Sequence, residues 1–396
     1  MTTSTNSHPD VWSSHRRAIA TLCRICVVML AVICITGCNL SLAQTSPETR
    51  CPPTDVPVHE IDGIYVLPED GRDPVIEEID AARCSVDVSI YMISDDEVID
   101  ALAQAQARGV TVRMLLEATP FGAFGGQVDT LDKISALGIS VKYGPDEFRF
   151  SHAKYIVVDG AVGIITNQNL TFSSFESNRE VGVITTDAEV VRSLSDIFVA
   201  DWSGEPLYDI ADRLVVSPEN SRASLVDLLA SAEGSIRLYV EVIRDDEIVS
   251  GLNDAESRGV EVRLIVNAPD DDLDFEVLGA LAQGGVEVRV ADHIYVHAKA
   301  LLIDHDIALI GSHNPTSTSI DNNREVSLEV TDPVAIERVW AIFDYDWLLS
   351  APWFPEARRV DTLTQNPKNI DLALDMPMMY GYCVRTVPMG LAQASR

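Results

Sequence analysis

Two segments of this 396-residue chain, 145 positions apart, carry the same sparse set of polar residues. The first is His152-Ala-Lys154, followed by Asp159, Asn167, Asn169 and Glu180. The second is His297-Ala-Lys299, followed by Asp304, Ser312, Asn314 and Glu325. Counted from each His, the offsets are +2, +7, +15, +17 and +28 in both copies. Apolar runs at 155–158 and 300–303 separate the polar positions, which puts them on strands and strand ends. So regular a repeat commits the chain to two copies of one folding unit and points to a single active site built from both.

The rest of each unit repeats in step. In the first, 86–91 alternates like a strand, 97–108 has helical spacing ended by Gly109, and 110–116 is a second strand. A helix at 128–137 and strands at 141–143 and 162–166 complete it. In the second, 235–242, 247–258 and 260–266 keep the order, followed by a helix at 275–283 and a strand at 286–290. Asp95-Asp96-Glu97 matches Asp245-Asp246-Glu247, and Phe198-x-x-Asp201-Trp202 matches Phe343-x-x-Asp346-Trp347. Strands alternating with helices give an α/β fold: two α/β/α domains, each a mixed sheet flanked by helices, packed as a pseudo-twofold pair. The expected domains are 60–210 and 211–350, with 351–396 a C-terminal extension.

The basic residues sharpen the chemistry. Only five of the 29 are Lys, and two of the five, Lys154 and Lys299, occupy matching positions. Arg is a flat fork, whereas the Lys ammonium is a compact point charge suited to one phosphate oxygen. A phosphodiester needs a nucleophile at phosphorus, an acid for the leaving alcohol and cations for the oxygen charge. Two His in one site supply the first two, Lys154 and Lys299 supply the third, and Asn169 and Asn314 would help them hold the nonbridging oxygens. Glu180 and Glu325 are expected to accept a hydrogen bond from the far nitrogen of their His, fixing its tautomer. Asn167 and Ser312 are expected to bind phosphate, and Asp159 and Asp304 to serve turns or caps. The chemistry calls for no metal or cofactor, and no cluster has metal-ligand spacing.

The N-terminus carries Arg16, Arg17 and Arg24, then an apolar stretch at 25–35 that ends in Thr36-Gly37-Cys38. This resembles a bacterial lipobox. It implies a signal peptide at 1–37, lipidation of Cys38 and a flexible tether at 38–59, and so export and a lipid anchor on a cell membrane or outer membrane. An uncleaved anchor helix or an ordinary signal peptide is the alternative. Of the remaining cysteines, Cys51 and Cys383 could pair across the tails, and Cys84 reads as a small core residue. A net charge of −32 repels polyanions and makes nucleic acid a less favoured partner, although adaptation to high salt gives the same acidity.

The doubled H-x-K-x4-D pattern, each followed by a G-S-x-N-like and an N-x-E-like segment, resembles the phospholipase D superfamily over residues 60–350. The second copy has Gly311-Ser312-His313-Asn314; the first departs from it with Thr166-Asn167-Gln168-Asn169. The resemblance implies a phosphohistidine on His152 and an acid, later a base, at His297; the reverse order stays open. It also implies a monomer with an intrachain pseudo-dimer. The expected activity is hydrolysis of a phospholipid phosphodiester to phosphatidate and an alcohol. A phosphatidyltransferase, a nuclease or another phosphodiesterase shares the site, and an inactive surface-binding scaffold is the alternative of another class. Phe148, Phe150 and Tyr295 could line a substrate pocket or simply pack, residues 121–126 read as a rim loop, and Glu241, in the place of Tyr91, has no assigned role.

Overall fold

The computed structural model describes residues 63–121, 127–269 and 271–354. The expected signal segment, Cys38, the tether, Cys51, Cys383, most of the rim loop and nearly all of the C-terminal extension lie outside these residues. Among the described residues no helix is long and apolar enough to cross a membrane. Cys84 is disulfide-bonded, which corrects its reading as a packed thiol.

The first half runs β1 (Gly63–Leu67), α1 (Asp73–Ala81), β2 (Ser85–Ile90), α2 (Asp96–Ala107), β3 (Thr111–Leu116), α3 (Val128–Ala136), β4 (Ser140–Tyr143), β5 (Tyr155–Val158), β6 (Val162–Thr166), α4 (Phe172–Glu176), β7 (Asn178–Thr185) and α5 (Ala188–Ser203). The second half repeats it as β8 (Leu214–Ser217), α6 (Ser221–Ser231), β9 (Ser235–Val240), α7 (Asp246–Ser257), β10 (Glu261–Val266), α8 (Asp272–Gln283) and β11 (Glu287–Val290). Then come β12 (Tyr295–Val296), β13 (Ala300–Ile303), β14 (Ile307–Gly311), α9 (Ser317–Asp321), β15 (Glu325–Val330), α10 (Pro333–Leu349) and β16 (Ala351–Pro352). The first sheet is ordered β1-β7-β6-β5-β2-β3-β4, and the second gives the matching order β8-β15-β14-β13-β9-β10-β11 before β16. β2, β3 and β4 pair in parallel, while β5, β6 and β7 are antiparallel, so each sheet is mixed.

Local chemistry explains the repeated elements. Asp95 caps α2 by accepting from the Val98 amide, and Asp245 caps α7 by accepting from Glu247 and Ile248. Gly109 and Gly259 follow with φ of 93° and 94°, a conformation costly for any residue with a Cβ. The sequence reading lacks β1, β8, α1 and α6, which precede the first alternating strand of each unit.

The two halves share one core. Val183, Leu194 and Phe198 pack in the same apolar cluster as Leu214, Ile310 and Phe343. Through this core run two buried Arg, each bound to a carboxylate of the opposite half and to a carbonyl of its own. Arg179 donates to Asp346 through Nε at 2.6 Å and to the Leu67 carbonyl at 2.6 Å. Arg324 donates to Asp201 through Nη2 at 2.9 Å and to the Ser217 carbonyl at 2.9 Å. The repeated Phe-x-x-Asp-Trp motif thus supplies a buried counterion to the partner unit.

Removing one member of such a pair leaves the other charge buried and alone. Arg179→Ala is expected to cost about 3–5 kcal/mol in urea unfolding. Arg338→Ala, which breaks a half-exposed pair with Asp70, is expected to cost about 1 kcal/mol or less. Both pairs join the halves and differ in burial, so equal losses in the two variants would contradict a buried, uncompensated charge at the Arg179 tie.

Candidate active site

Each His of the repeated motif is delivered by a loop that the other half pins. β12 pairs in parallel with the start of β7, setting Val296 against Arg179, and the His297 amide donates to the Arg179 carbonyl at 3.1 Å. In the mirror arrangement Ser151 bridges Arg324, and the His152 amide donates to the Arg324 carbonyl at 2.9 Å. Within each half, a residue just past the second parallel strand buttresses the same loop. Glu117 accepts from the Ser151 amide at 2.7 Å, and Asn267 exchanges two hydrogen bonds with Val296.

The carboxylates are crossed. Nδ1 of His152 lies 2.8 Å from Glu325, and Nδ1 of His297 lies 2.8 Å from Glu180. Each Glu therefore orients the His of the opposite copy, which corrects the expectation that it serves its own. Both carboxylates are fully buried. Glu325 also accepts from Ser319 Oγ at 2.7 Å and from Asn323 Nδ2 at 2.9 Å, which leaves it little freedom. Burial alone would raise the Glu325 carboxyl, but the His152 ring and the Lys154 ammonium outweigh it and hold it down at about 2. An ionised carboxylate on Nδ1 fixes the tautomer with a lone pair on Nε2.

Each Lys bonds back to the main chain of its His. Lys154 Nζ donates to the His152 carbonyl at 2.7 Å, and Lys299 Nζ donates to the His297 carbonyl at 2.6 Å. Burial lowers the Lys154 ammonium to about 7, and burial likewise pushes His152 down to about 4 against the pull of Glu325. Near neutral pH His152 is therefore an uncharged imidazole. Asn169 and Asn314 each keep a buried Oδ1 without a partner among the described residues, and the Asn314 amide nitrogen faces the site. Among the described residues no group of three or more His, Cys, Asp or Glu is arranged to hold a metal.

Two predicted phosphate ligands are placed elsewhere. Ser312 Oγ exchanges hydrogen bonds with the Val326 backbone. Asn167 accepts from the Val181 amide at 2.8 Å and donates to the Lys299 and Gly311 carbonyls of the other half. Both side chains are fully buried and spent on backbone, which corrects the expectation that they bind phosphate. The departure at Thr166 has a steric cause. A Cβ on Gly311 would stand 2.3 Å from Ser327, its cross-strand partner, whereas Thr166 is paired with Gly182. The small residue has changed strands between the copies.

Asp159 and Asp304 lie outside the site at left-handed turns, φ 55° and 53°. Each accepts from three successive amides, those of 83–85 and 233–235, and so ties its turn to the start of β2 or β9. Phe148 packs on the Arg324 guanidinium and Phe150 edge-on to Tyr91, so both brace the site's scaffold. Tyr295 is half exposed at the rim, where its hydroxyl donates to Glu241. Glu241 itself lies in the site, bound to Lys299 Nζ at 2.6 Å. The duplicated Arg and Asn just before each Glu were visible signals that spacing alone left without a role.

Well over half of the chain, residues 75–202 and 225–347, matches the family described as "Cardiolipin synthase, PLD-like domain". The chain belongs to the phospholipase D superfamily. Among curated relatives, a cardiolipin synthase of Alkalihalophilus pseudofirmus is 24% identical over 318 residues, covering 69% of this chain and 63% of the relative. The major cardiolipin synthase of Bacillus subtilis is 22% identical over 334 residues, covering 71% of this chain and 68% of the relative. The chain thus spans roughly three fifths to two thirds of these relatives' length. In fold, it resembles a phosphatidylserine synthase of Haemophilus influenzae, with a TM-score of 0.56, 13% identity and coverage of 76% of this chain and 93% of that one. A polyphosphate kinase of Porphyromonas gingivalis gives 0.59 and 16%, over 72% of this chain and 46% of that one.

The crossed pairing has a direct spectroscopic signature. Glu325→Gln is expected to shift the downfield imidazole N–H proton of His152 and leave that of His297 in place, and Glu180→Gln to do the reverse. Loss of the His152 signal in Glu180→Gln would contradict the geometry.

Proposed function

We propose that the chain is a phosphatidyltransferase that moves a phosphatidyl group from one alcohol to another through a phosphohistidine. The observation that carries this reading is the pair of His rings within one site, each held at Nδ1 by a buried carboxylate, with a buried Lys bonded to the carbonyl of the same His. The names of the curated relatives favour transfer over the hydrolysis read from the residues. An acidic chain of net charge −32 disfavours a nucleic-acid substrate.

His152 Nε2 attacks phosphorus of a glycerophospholipid diester while the bond to the headgroup oxygen breaks. His297 supplies the proton to that oxygen; its Nδ1 rests on Glu180, and its Nε2 lies 3.6 Å from Glu241, so carboxylates face both nitrogens. The headgroup alcohol leaves. An incoming alcohol then gives its proton to His297 and attacks phosphorus, the P–N bond breaks, and His152 returns neutral. Water in place of the alcohol gives phosphatidate. Lys154 and Lys299 balance charge on the nonbridging oxygens at both steps. The N-terminal pattern supports work at a membrane surface, with the chain exported and held there by lipid on Cys38.

Vesicles of phosphatidylglycerol in EDTA test this reading. Cardiolipin and free glycerol are the expected products, at a rate unchanged by the chelator. Phosphatidate alone would mean hydrolysis, and a rate abolished by EDTA would remove the metal-free mechanism. The profile of kcat/KM should be a bell. It falls below about 4, where His152 gains a proton and loses its lone pair, and above about 7, where Lys154 loses its charge. A flat profile across pH 6 to 9 would contradict a buried, titrating Lys154.

A further inference from the structure

Tyr91 and Glu241 hold corresponding positions, just past the ends of β2 and β9, and each covers the Lys of its own half. The covers differ in kind. The Tyr91 ring lies 5.0 Å from Lys154 Nζ and meets the His152 ring edge-on at 4.6 Å. Lys154 has no carboxylate within ion-pair distance among the described residues. Glu241 instead places one oxygen, Oε2, 2.6 Å from Lys299 Nζ, 3.3 Å from Asn314 Nδ2 and 3.6 Å from His297 Nε2. Its other oxygen accepts from the Tyr295 hydroxyl at 3.3 Å. Lys299 and Asn314 are the second half's donors for a nonbridging phosphoryl oxygen, and the carboxylate takes both. Burial would raise the Glu241 carboxyl, yet the Lys299 and His297 charges hold it well below the usual carboxylate range, so it is an anion at every working pH.

We propose that Glu241 is a resident anion seated where a phosphoryl oxygen must go, so that substrate reaches Lys299 and Asn314 only by displacing it. The inference rests on the phosphoryl-transfer reading of the site and adds a selection rule. A bound dianion meets the displaced carboxylate with twice the charge of a monoanion, so the seat favours phosphodiesters over phosphomonoesters. The neutral Tyr91 imposes no such rule in the first half. The two halves are alike in their catalytic residues but unequal in what their lysines do. Lys154 contributes charge from beneath an aromatic cover, and Lys299 is released when substrate arrives.

Equilibrium binding of inorganic phosphate, followed by calorimetry, tests this without reference to turnover. A chain that transferred no phosphatidyl group would still report. Glu241→Gln keeps the shape and removes the charge, and is expected to tighten phosphate roughly tenfold or more. Glu241→Tyr, which copies the first half, should tighten it as well. Unchanged or weaker binding in both folded variants overturns the proposal, because Glu241 would then be supporting Lys299 and not competing for it. In the unaltered chain with 13C-labelled Glu, saturating phosphate should move one buried carboxyl resonance. If every carboxyl resonance stays in place, the displacement is refuted even where neither variant folds.

Discussion

The site depends on an exchange between the halves: the strand that carries each Glu is bonded to the loop that carries the other half's His. Arg179 sits in the middle of one such crossing, with its side chain on Asp346 and its carbonyl on the His297 amide, next to Glu180. Arg324 repeats this with Asp201, the His152 amide and Glu325. A buried guanidinium binds a carboxylate with two parallel bonds and so fixes direction as well as distance. The imidazoles inherit their orientation from these pairs. Neither half alone can orient its His, and the whole site stands or falls with the interface.

That constraint shapes the chemistry. The two ammonium groups and the carboxylates of Glu180, Glu325 and Glu241 are packed within one enclosure, where each charge is felt strongly by the rest. Lys suits this better than Arg, because its charge responds to burial, and Lys154 does respond. The asymmetry between Tyr91 and Glu241 then gives two near-identical halves unequal electrostatics. His152 lies beside an aromatic ring and is kept neutral by burial; His297 stands between carboxylates.

Much of this was written in the duplicated offsets, because strands bring every second residue to one face and strand ends to one edge. The His, Lys and Glu that meet in the site, and the order of sheets and helices, followed from it. The crossing did not. A Glu at +28 from a His has the same spacing whether it serves its own copy or the other, and only the three-dimensional packing distinguishes them. The reading of Asn167 failed for a related reason: its amide reaches the Lys299 carbonyl across an interface that no local pattern encodes. Thr166 looked like damage to a motif until its cross-strand partner proved to be Gly182. Glu241 was noticed as a difference from Tyr91, yet a single unmatched residue carries no spacing to interpret.

The central claim is that one His, set by a carboxylate from the other half, forms the covalent bond to phosphorus. Rapid-quench trapping with radiolabelled phosphatidylglycerol, followed by peptide mapping without acid, tests it most directly. The account predicts label on His152 alone in the unaltered chain, and label sharply reduced by Glu325→Gln. Label on His297, or label on His152 that is indifferent to Glu325, would contradict it.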